Sequence, residues 1–228
     1  MMASEHDITP QAAAPGETQI VYELGELSRP IDLAKMFGRA ARFELEIGFG
    51  SGIFLAIEAA ARPDVNFLGI EHDRGQVYRT KDKLIRRGMH NVRLLCCDAP
   101  YFLEEGYIAP GSVETCHIYF SDPWPKKRHH KRRLFSPRLF PLLDRILAPG
   151  ADLRIKTDVT EYYEVMEPLL SAAEFLKKEV DLRLDIEPLD GDIITNFQRK
   201  AMTKGHPIHM MVYRHIAPTT NPTSEPTP

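Results

Sequence analysis

Cysteine is scarce in this chain. Cys96, Cys97 and Cys116 are the only three in 228 residues, an odd number without the paired short spacings of a zinc site. A disulfide scaffold is excluded, and no metal site is expected. Cys96 and Cys97 continue the apolar run begun by Leu94 and Leu95, which predicts buried, reduced thiols. No stretch approaches the ~18 consecutive apolar residues of a membrane span, and the N-terminus carries no apolar signal region. A cytoplasmic protein without a membrane segment is therefore expected. No internal repeat is visible, so a solenoid is set aside. The formal net charge of −3 argues against a uniformly basic nucleic-acid binder.

What is present is a core and a strongly local charge. Apolar residues make up 43% of the chain, enough for one domain of this length. Residues 1–20 and 216–228 are rich in Ala, Pro, Gln or Thr without apolar periodicity, and read as disordered tails around a single domain at 21–215. The first part of that domain, up to about residue 41, reads as an N-terminal extension packed on the rest. The run Lys126 to Arg133 holds six permanent cations and two histidines with no acid. Such a block attracts phosphate even when the whole chain is mildly acidic.

Between the tails, strand and helix signals alternate. Strands are predicted at about 43–48, 66–71, 92–97, 113–120 and 151–156, with helices at 52–61, 75–87, 99–105, 136–147 and 159–173. Pro149-Gly150 is predicted to be a turn. A strand at 175–184, a short helix at 195–204 and a strand at 208–214 complete the chain. This order implies a mostly parallel sheet with helices on both faces.

The stretch Leu45-Glu46-Ile47-Gly48-Phe49-Gly50-Ser51-Gly52 joins the first of these strands to its helix. Open α/β sheets bind nucleotides at such turns. The pattern is G-x-G-x-G, and Ile53 stands where the dinucleotide fingerprint has its third glycine. A pyrophosphate cradle and a nicotinamide cofactor are thereby disfavoured. Glu71 ends the second strand about twenty residues later, where a carboxylate accepts hydrogen bonds from ribose hydroxyls. Asp98 ends the third strand, placed either to meet an adenine amine or to cap the next helix. Glu46 lies inside a central strand, where a charge is costly unless it is paired; a cationic ligand or a structural partner would serve.

Ser121-Asp122-Pro123-Trp124-Pro125 follows the fourth strand and contains the single tryptophan. Two prolines stiffen the loop, and an acid beside an aromatic ring makes a slot for a planar base. Thr195-Asn196-Phe197-Gln198 combines polar tips with a ring, suited to a ribose or base and equally to an N-capped helix. Asp158 follows the fifth strand and could likewise cap a helix. No nucleophile–base pair is evident.

The segment from Asp122 to Arg133 resembles the signature of the bacterial tRNA (guanine-N7)-methyltransferases. The stretches at 45–52, Gly69-Ile70-Glu71, Thr157-Asp158 and 195–198 fit that family in the same order. The resemblance covers about 43–215 and implies a Rossmann-like class I fold with a mostly parallel seven-stranded sheet, the seventh strand antiparallel. It implies S-adenosylmethionine as methyl donor and a guanosine of the tRNA variable loop as acceptor. Carried over by position, Glu46, Glu71 and Asp98 match cofactor-binding residues, and Gly48, Gly50 and Gly52 of the turn, with Asp122, are expected to bind the cofactor as well. Asp122 matches the residue at the active centre, close to both methyl donor and guanine. Lys126, Asp158, Thr195, Asn196, Phe197 and Gln198 match substrate-binding positions, and the basic run is expected to hold tRNA. The family commonly has Glu where Gln198 stands; Gln keeps the size and an acceptor and lacks the charge. A monomer or homodimer is expected.

Overall fold

The computed structural model describes residues 19–185 and 193–216. Eight strands form one sheet: β1 (Val21–Tyr22), β2 (Arg42–Ile47), β3 (Val65–Glu71), β4 (Val92–Cys96), β5 (Val113–Tyr119), β6 (Leu147–Thr157), β7 (Leu176–Leu184) and β8 (Ile208–His215). Their order is β1-β4-β3-β2-β5-β6-β8-β7. Neighbours are parallel as far as β6, whereas β8 runs antiparallel to both β6 and β7. The helices are α1 (Leu33–Phe37), α2 (Ile53–Ala61), α3 (Arg74–Arg86), α4 (Ala99–Glu104), α5 (Leu139–Ile146), α6 (Thr160–Ser171) and α7 (Asn196–Thr203).

The burial of the strands follows from their place in the sheet. β3 is buried at every position, as expected of a parallel strand covered on both faces. The chain winds outward from β2 to β3 and β4 and then crosses back through α4 to β5, so β3 and β4 lie on one side of β2 and β5 and β6 on the other. One apolar cluster places Leu55, Ala56, Val77 and Leu84 of α2 and α3 against Val65, Phe67, Val92 and Leu94. The other joins Leu45, Ile47, Ile118, Leu153 and Met211 to α4, α5 and α6. Within β2 the alternation of Glu44, Leu45, Glu46 and Ile47 therefore divides between the faces. Leu45 and Ile47 enter the larger core, and the two glutamates point to the other side.

Three expectations are corrected. The sheet has eight strands instead of seven, because Val21–Tyr22 of the N-terminal extension adds a parallel strand to the β4 edge. The predicted tail ran to residue 20, but Ile20 is buried and its carbonyl accepts from Leu94 N–H at 2.7 Å. An apolar side chain and an unpaired strand edge are both satisfied there. Pro149-Gly150 does not end a helix with a turn; it lies inside β6, as an irregularity between the pairs Val113–Leu147 and Thr115–Asp152. Proline has no N–H to give the ladder and Gly150 adopts φ +80°, so the strand bulges at that point and resumes. Residues 1–18 and 217–228 of the expected tails lie outside the described residues. Among those described, no helix is long and apolar enough to cross a membrane.

Candidate active site

The carboxyl ends of β2, β3, β4 and β5 open on a cavity of about 690 Å³, within the range of small-ligand sites. Its floor is the turn after β2. Gly48 and Phe49 donate their N–H groups to Ile70 O at 2.8 and 3.4 Å, which ties the turn to β3. Gly48, Gly50 and Gly52 all have positive φ, at +78°, +51° and +63°. Gly52 also permits close packing, because a Cβ there would overlap the Thr80 side chain of α3, with Oγ1 at 2.8 Å. Gly48 and Gly50 line the cavity, whereas Gly52, expected to bind the cofactor, is not among the lining residues and supports the turn from behind.

Three acids line this cavity in different surroundings. Glu71 accepts N–H bonds from Gly50 (2.9 Å), His72 (2.8 Å) and Asp73 (3.0 Å). Its carboxylate is held in place by the backbone around it, so the residue shapes the turn as well as facing the cavity. Asp98 caps α4 by accepting from Tyr101 N–H at 2.9 Å, as the capping reading expects, and also lines the cavity. Glu46 is different. It is buried, and its Oε2 has no hydrogen-bond partner. Burial pushes its carboxyl well above the usual range, and the negative charges of Glu71 and Glu58 push it further. A buried acid without a partner is costly, and a cationic group entering the cavity would relieve that cost.

The loop after β5 forms the opposite wall. Phe120 and Trp124 both have positive φ, at 56° and 43°, a conformation uncommon for bulky residues and found at functional sites. Asp122, exposed, lines the cavity between them. The Arg132 guanidinium lies over the Trp124 ring at 4.9 Å, and His129 meets its edge at 5.7 Å. Arg133 Nε donates to Pro123 O at 2.8 Å. The basic run is therefore wound as a 3-10 turn, Lys127–Arg132, folded back on the loop. Lys131, Arg132 and Arg133 line the cavity, and Lys126 and Lys127 are exposed.

The third wall comes from α7. Thr195 caps it by accepting from Gln198 N–H at 3.1 Å, and Thr195 and Phe197 line the cavity. Phe197 is 52% exposed and stacks on Phe120 at 6.1 Å. Asn196 faces the glycine turn, its Nδ2 lying 3.5 Å from Ser51 Oγ. Gln198 is buried at the base of the helix. Lys126, Asp158, Asn196 and Gln198 are not among the cavity-lining residues. Asp158 does not cap α6 either: the N-cap is Val159, whose N–H is bound by Thr157 Oγ1 at 3.2 Å. Of the cysteines, only Cys116 is fully buried; Cys96 and Cys97 are half-buried. Cys97 lines the cavity, with its thiol pushed up to about 12 by burial.

Residues 40–211 match a family model described as "Putative methyltransferase". A tRNA (guanine-N(7)-)-methyltransferase of Halorhodospira halophila is 39% identical over 81% of this chain and 79% of that protein. One from Alkalilimnicola ehrlichii is 39% identical over 82% and 78%. The chain belongs to the tRNA (guanine-N(7)-)-methyltransferase family. Its fold is also that of the 16S rRNA methyltransferase KamB, with a TM-score of 0.62 at 15% identity over 82% of this chain and 93% of that one. The fold is Rossmann-like class I, and the donor of this methyltransferase family is S-adenosylmethionine.

The cavity fits that donor. It offers an orphaned buried carboxyl for a cation, two carboxylates at successive strand ends for a nucleoside, and a turn whose lining glycines leave room for the ligand. Among the described residues no cluster of His, Cys, Asp and Glu is suited to a metal ion.

One network at this site was not foreseen from the sequence. Arg62 grips Glu44, with Nη2 on Oε2 at 2.9 Å. The same Oε2 lies 2.9 Å from His117 Nε2, and His117 Nδ1 lies 3.0 Å from the Tyr119 hydroxyl. Phe54 packs on His117 and Tyr119, with ring centroids at 4.6 and 5.0 Å. Burial alone would raise the Glu44 carboxyl, but the bonds from His117 and Arg62 outweigh it and bring it down to about 2. Burial lowers His117, and the Glu44 bond only partly restores it. A carboxylate can only accept, so His117 Nε2 carries the proton in the contact with Glu44. The chain leads from the outside of the sheet to Tyr119 on the cavity wall. The signal available in the sequence was the strict alternation of Glu44 and Glu46 with apolar residues, which placed two acids on one face without naming their partners.

Proposed function

We infer that this chain methylates N7 of a guanosine in the tRNA variable loop, in the cytoplasm, through the cavity at the ends of β2 to β5. The observation that carries this reading is the meeting of two walls around one space. The glycine turn and the three acids make a nucleoside-sized pocket. The Asp122–Trp124 loop and the basic run stand across from it.

S-adenosylmethionine supplies an electrophilic methyl group on a sulfonium. Guanine N7 carries a lone pair and no proton, so attack needs no general base. Catalysis then rests on placement and electrostatics. Glu71 and Asp98 hold the nucleoside part of the donor, and Glu46 offers its unpaired carboxyl to the cationic part. Asp122 faces the guanine. It cannot bond N7 or O6 directly, since both are acceptors, but it can accept from N1–H and the N2 amine. Its negative charge also stabilises the cation that develops on the imidazole ring. Trp124 and the Phe120–Phe197 pair offer flat faces for a base, and such stacking contributes roughly 1–3 kcal/mol per base. Lys126 and Lys127, exposed beside this slot, contact phosphates.

Incubation of the enzyme with labelled methyl donor and unmodified tRNA tests the reading. The label is expected in N7-methylguanosine, recognisable by strand cleavage in alkali after reduction. Label recovered on an exocyclic amine, or none incorporated, would overturn it.

A further inference from the structure

The ion pairs divide the surface cations into two populations. Those at the far edge of the sheet, such as Lys178, Arg183 and Arg214, are matched by Glu167, Asp181, Asp185 and Asp152. Arg42 and Arg62 are matched by Asp64 and Glu44. Among the described residues no carboxylate pairs with Arg74, Arg79, Lys81, Lys83, Arg86 or Arg87. All six lie on or at the end of α3, whose only acid is Asp82.

Their placement is ordered. Gln76, Arg79, Lys83 and Arg86 fall at i, i+3, i+7 and i+10, on one side of the helix. Gln76 lines the cavity. The Lys83 ammonium donates to Ser51 O of the glycine turn, and Ser51 Oγ meets Asn196 of α7. Asn196 Oδ1 in turn accepts from Arg199 at 3.2 Å. A positive stripe thus runs along α3, roughly 20 Å for its 13 residues, and crosses the turn to α7 beside the cavity mouth. Lys83 is pushed below its usual range by burial, and then by the charges of Arg87 and Arg86. Like charges four residues apart disfavour a helix; a bound polyanion reverses the sign of that effect.

We propose that the exposed face of α3, continued through the glycine turn to α7, is a second contact surface for the phosphate backbone of the substrate RNA, separate from the basic run. The proposal rests on the tRNA reading above. Its consequence is that one arm of the tRNA lies along α3 while the target loop enters beside Asp122. The stripe specifies no sequence, because phosphate contacts position the RNA and carry no base information.

The test uses the full chain carrying Arg79→Gln, Arg86→Gln and Arg87→Gln, titrated with an unmodified tRNA transcript by fluorescence anisotropy over a range of salt. Affinity at low salt is expected to fall by roughly tenfold or more, and the slope of log affinity against log salt to become shallower by about 2–3. S-adenosylmethionine affinity should be unchanged. A control, Lys35→Gln, Arg42→Gln and Lys177→Gln, removes the same charge elsewhere and should leave the slope as in the wild type. The single change Arg86→Glu repeats the test with one exposed site altered. An unchanged affinity and slope in the α3 variants, with wild-type tRNA binding intact, would overturn the surface and leave the tRNA reading standing. Equal weakening in the control would reduce the effect to net charge and overturn it as well. Failure of the wild type to bind tRNA would remove the tRNA reading and this surface with it.

Discussion

His117 Nε2 lies 2.9 Å from Glu44 Oε2, with both side chains buried, and this pair sets how the fold responds to acid. Glu44 titrates near 4.5 when unfolded and near 2 when folded, so its contribution is complete above pH 4.5 and is lost as pH falls towards 2. His117 is depressed from 6.5. The unfolded imidazole takes up a proton below that value while the folded one resists, so loss of stability begins near pH 6.5. Between pH 6.5 and pH 4 this pair lowers the urea midpoint, whereas the raised carboxyl of Glu46 acts in the opposite direction, so the pair is read from the difference between wild type and variant. Glu44→Gln should cost roughly 1–3 kcal/mol at neutral pH and flatten the profile. A pH profile in Glu44→Gln identical to that of the wild type would contradict the assignment.

Glu46 predicts a proton released on donor binding. Burial and two neighbouring acids raise its carboxyl, whereas a cation beside it favours the carboxylate. Calorimetric heats of S-adenosylmethionine binding should therefore depend on the ionisation enthalpy of the buffer, and affinity should weaken as pH falls. Glu46→Gln should abolish the buffer dependence and weaken binding roughly tenfold or more. Buffer dependence that persists in the variant would assign the proton elsewhere.

Asp122 should separate turnover from donor binding. Asp122→Asn keeps the size and removes the charge. Turnover is expected to fall by roughly 10²-fold or more, with the dissociation constant of the donor nearly unchanged. Wild-type turnover in Asp122→Asn would remove the residue from the chemistry.

Phe197 is a large apolar side chain half in water, held against Phe120. Phe197→Ala should raise the KM for tRNA by roughly tenfold, in line with the loss of one stacking face. The melting temperature should move little, because exposed side chains contribute little to folding. A large drop in stability with unchanged KM would make the pair structural.

Gly52 carries a packing prediction. Gly52→Ala meets both a left-handed φ of +63° and the Thr80 side chain, and should cost roughly 1–3 kcal/mol. Adding Thr80→Ala should restore part of that loss, because the overlap disappears while the backbone strain persists. No recovery in the double variant would place the whole cost in the backbone.

The sequence by itself determined the order of elements and the ends of the strands. Periodicity and turn chemistry are local, and Glu46, Glu71, Asp98 and Asp122 were placed at or near strand ends because the apolar runs beside them are unambiguous. The glycine spacing likewise followed from conformational rules that act over a few residues. What only the tertiary structure decided were the meetings between distant segments. Glu44 with His117, Asn196 with Ser51, and the fold-back of Arg132 on Trp124 depend on strand order and loop closure, which no short window encodes. The same reason explains the errors. Whether Val21–Tyr22 pairs with β4, and whether Pro149-Gly150 turns or bulges, is set by the neighbour it meets and not by its own residues.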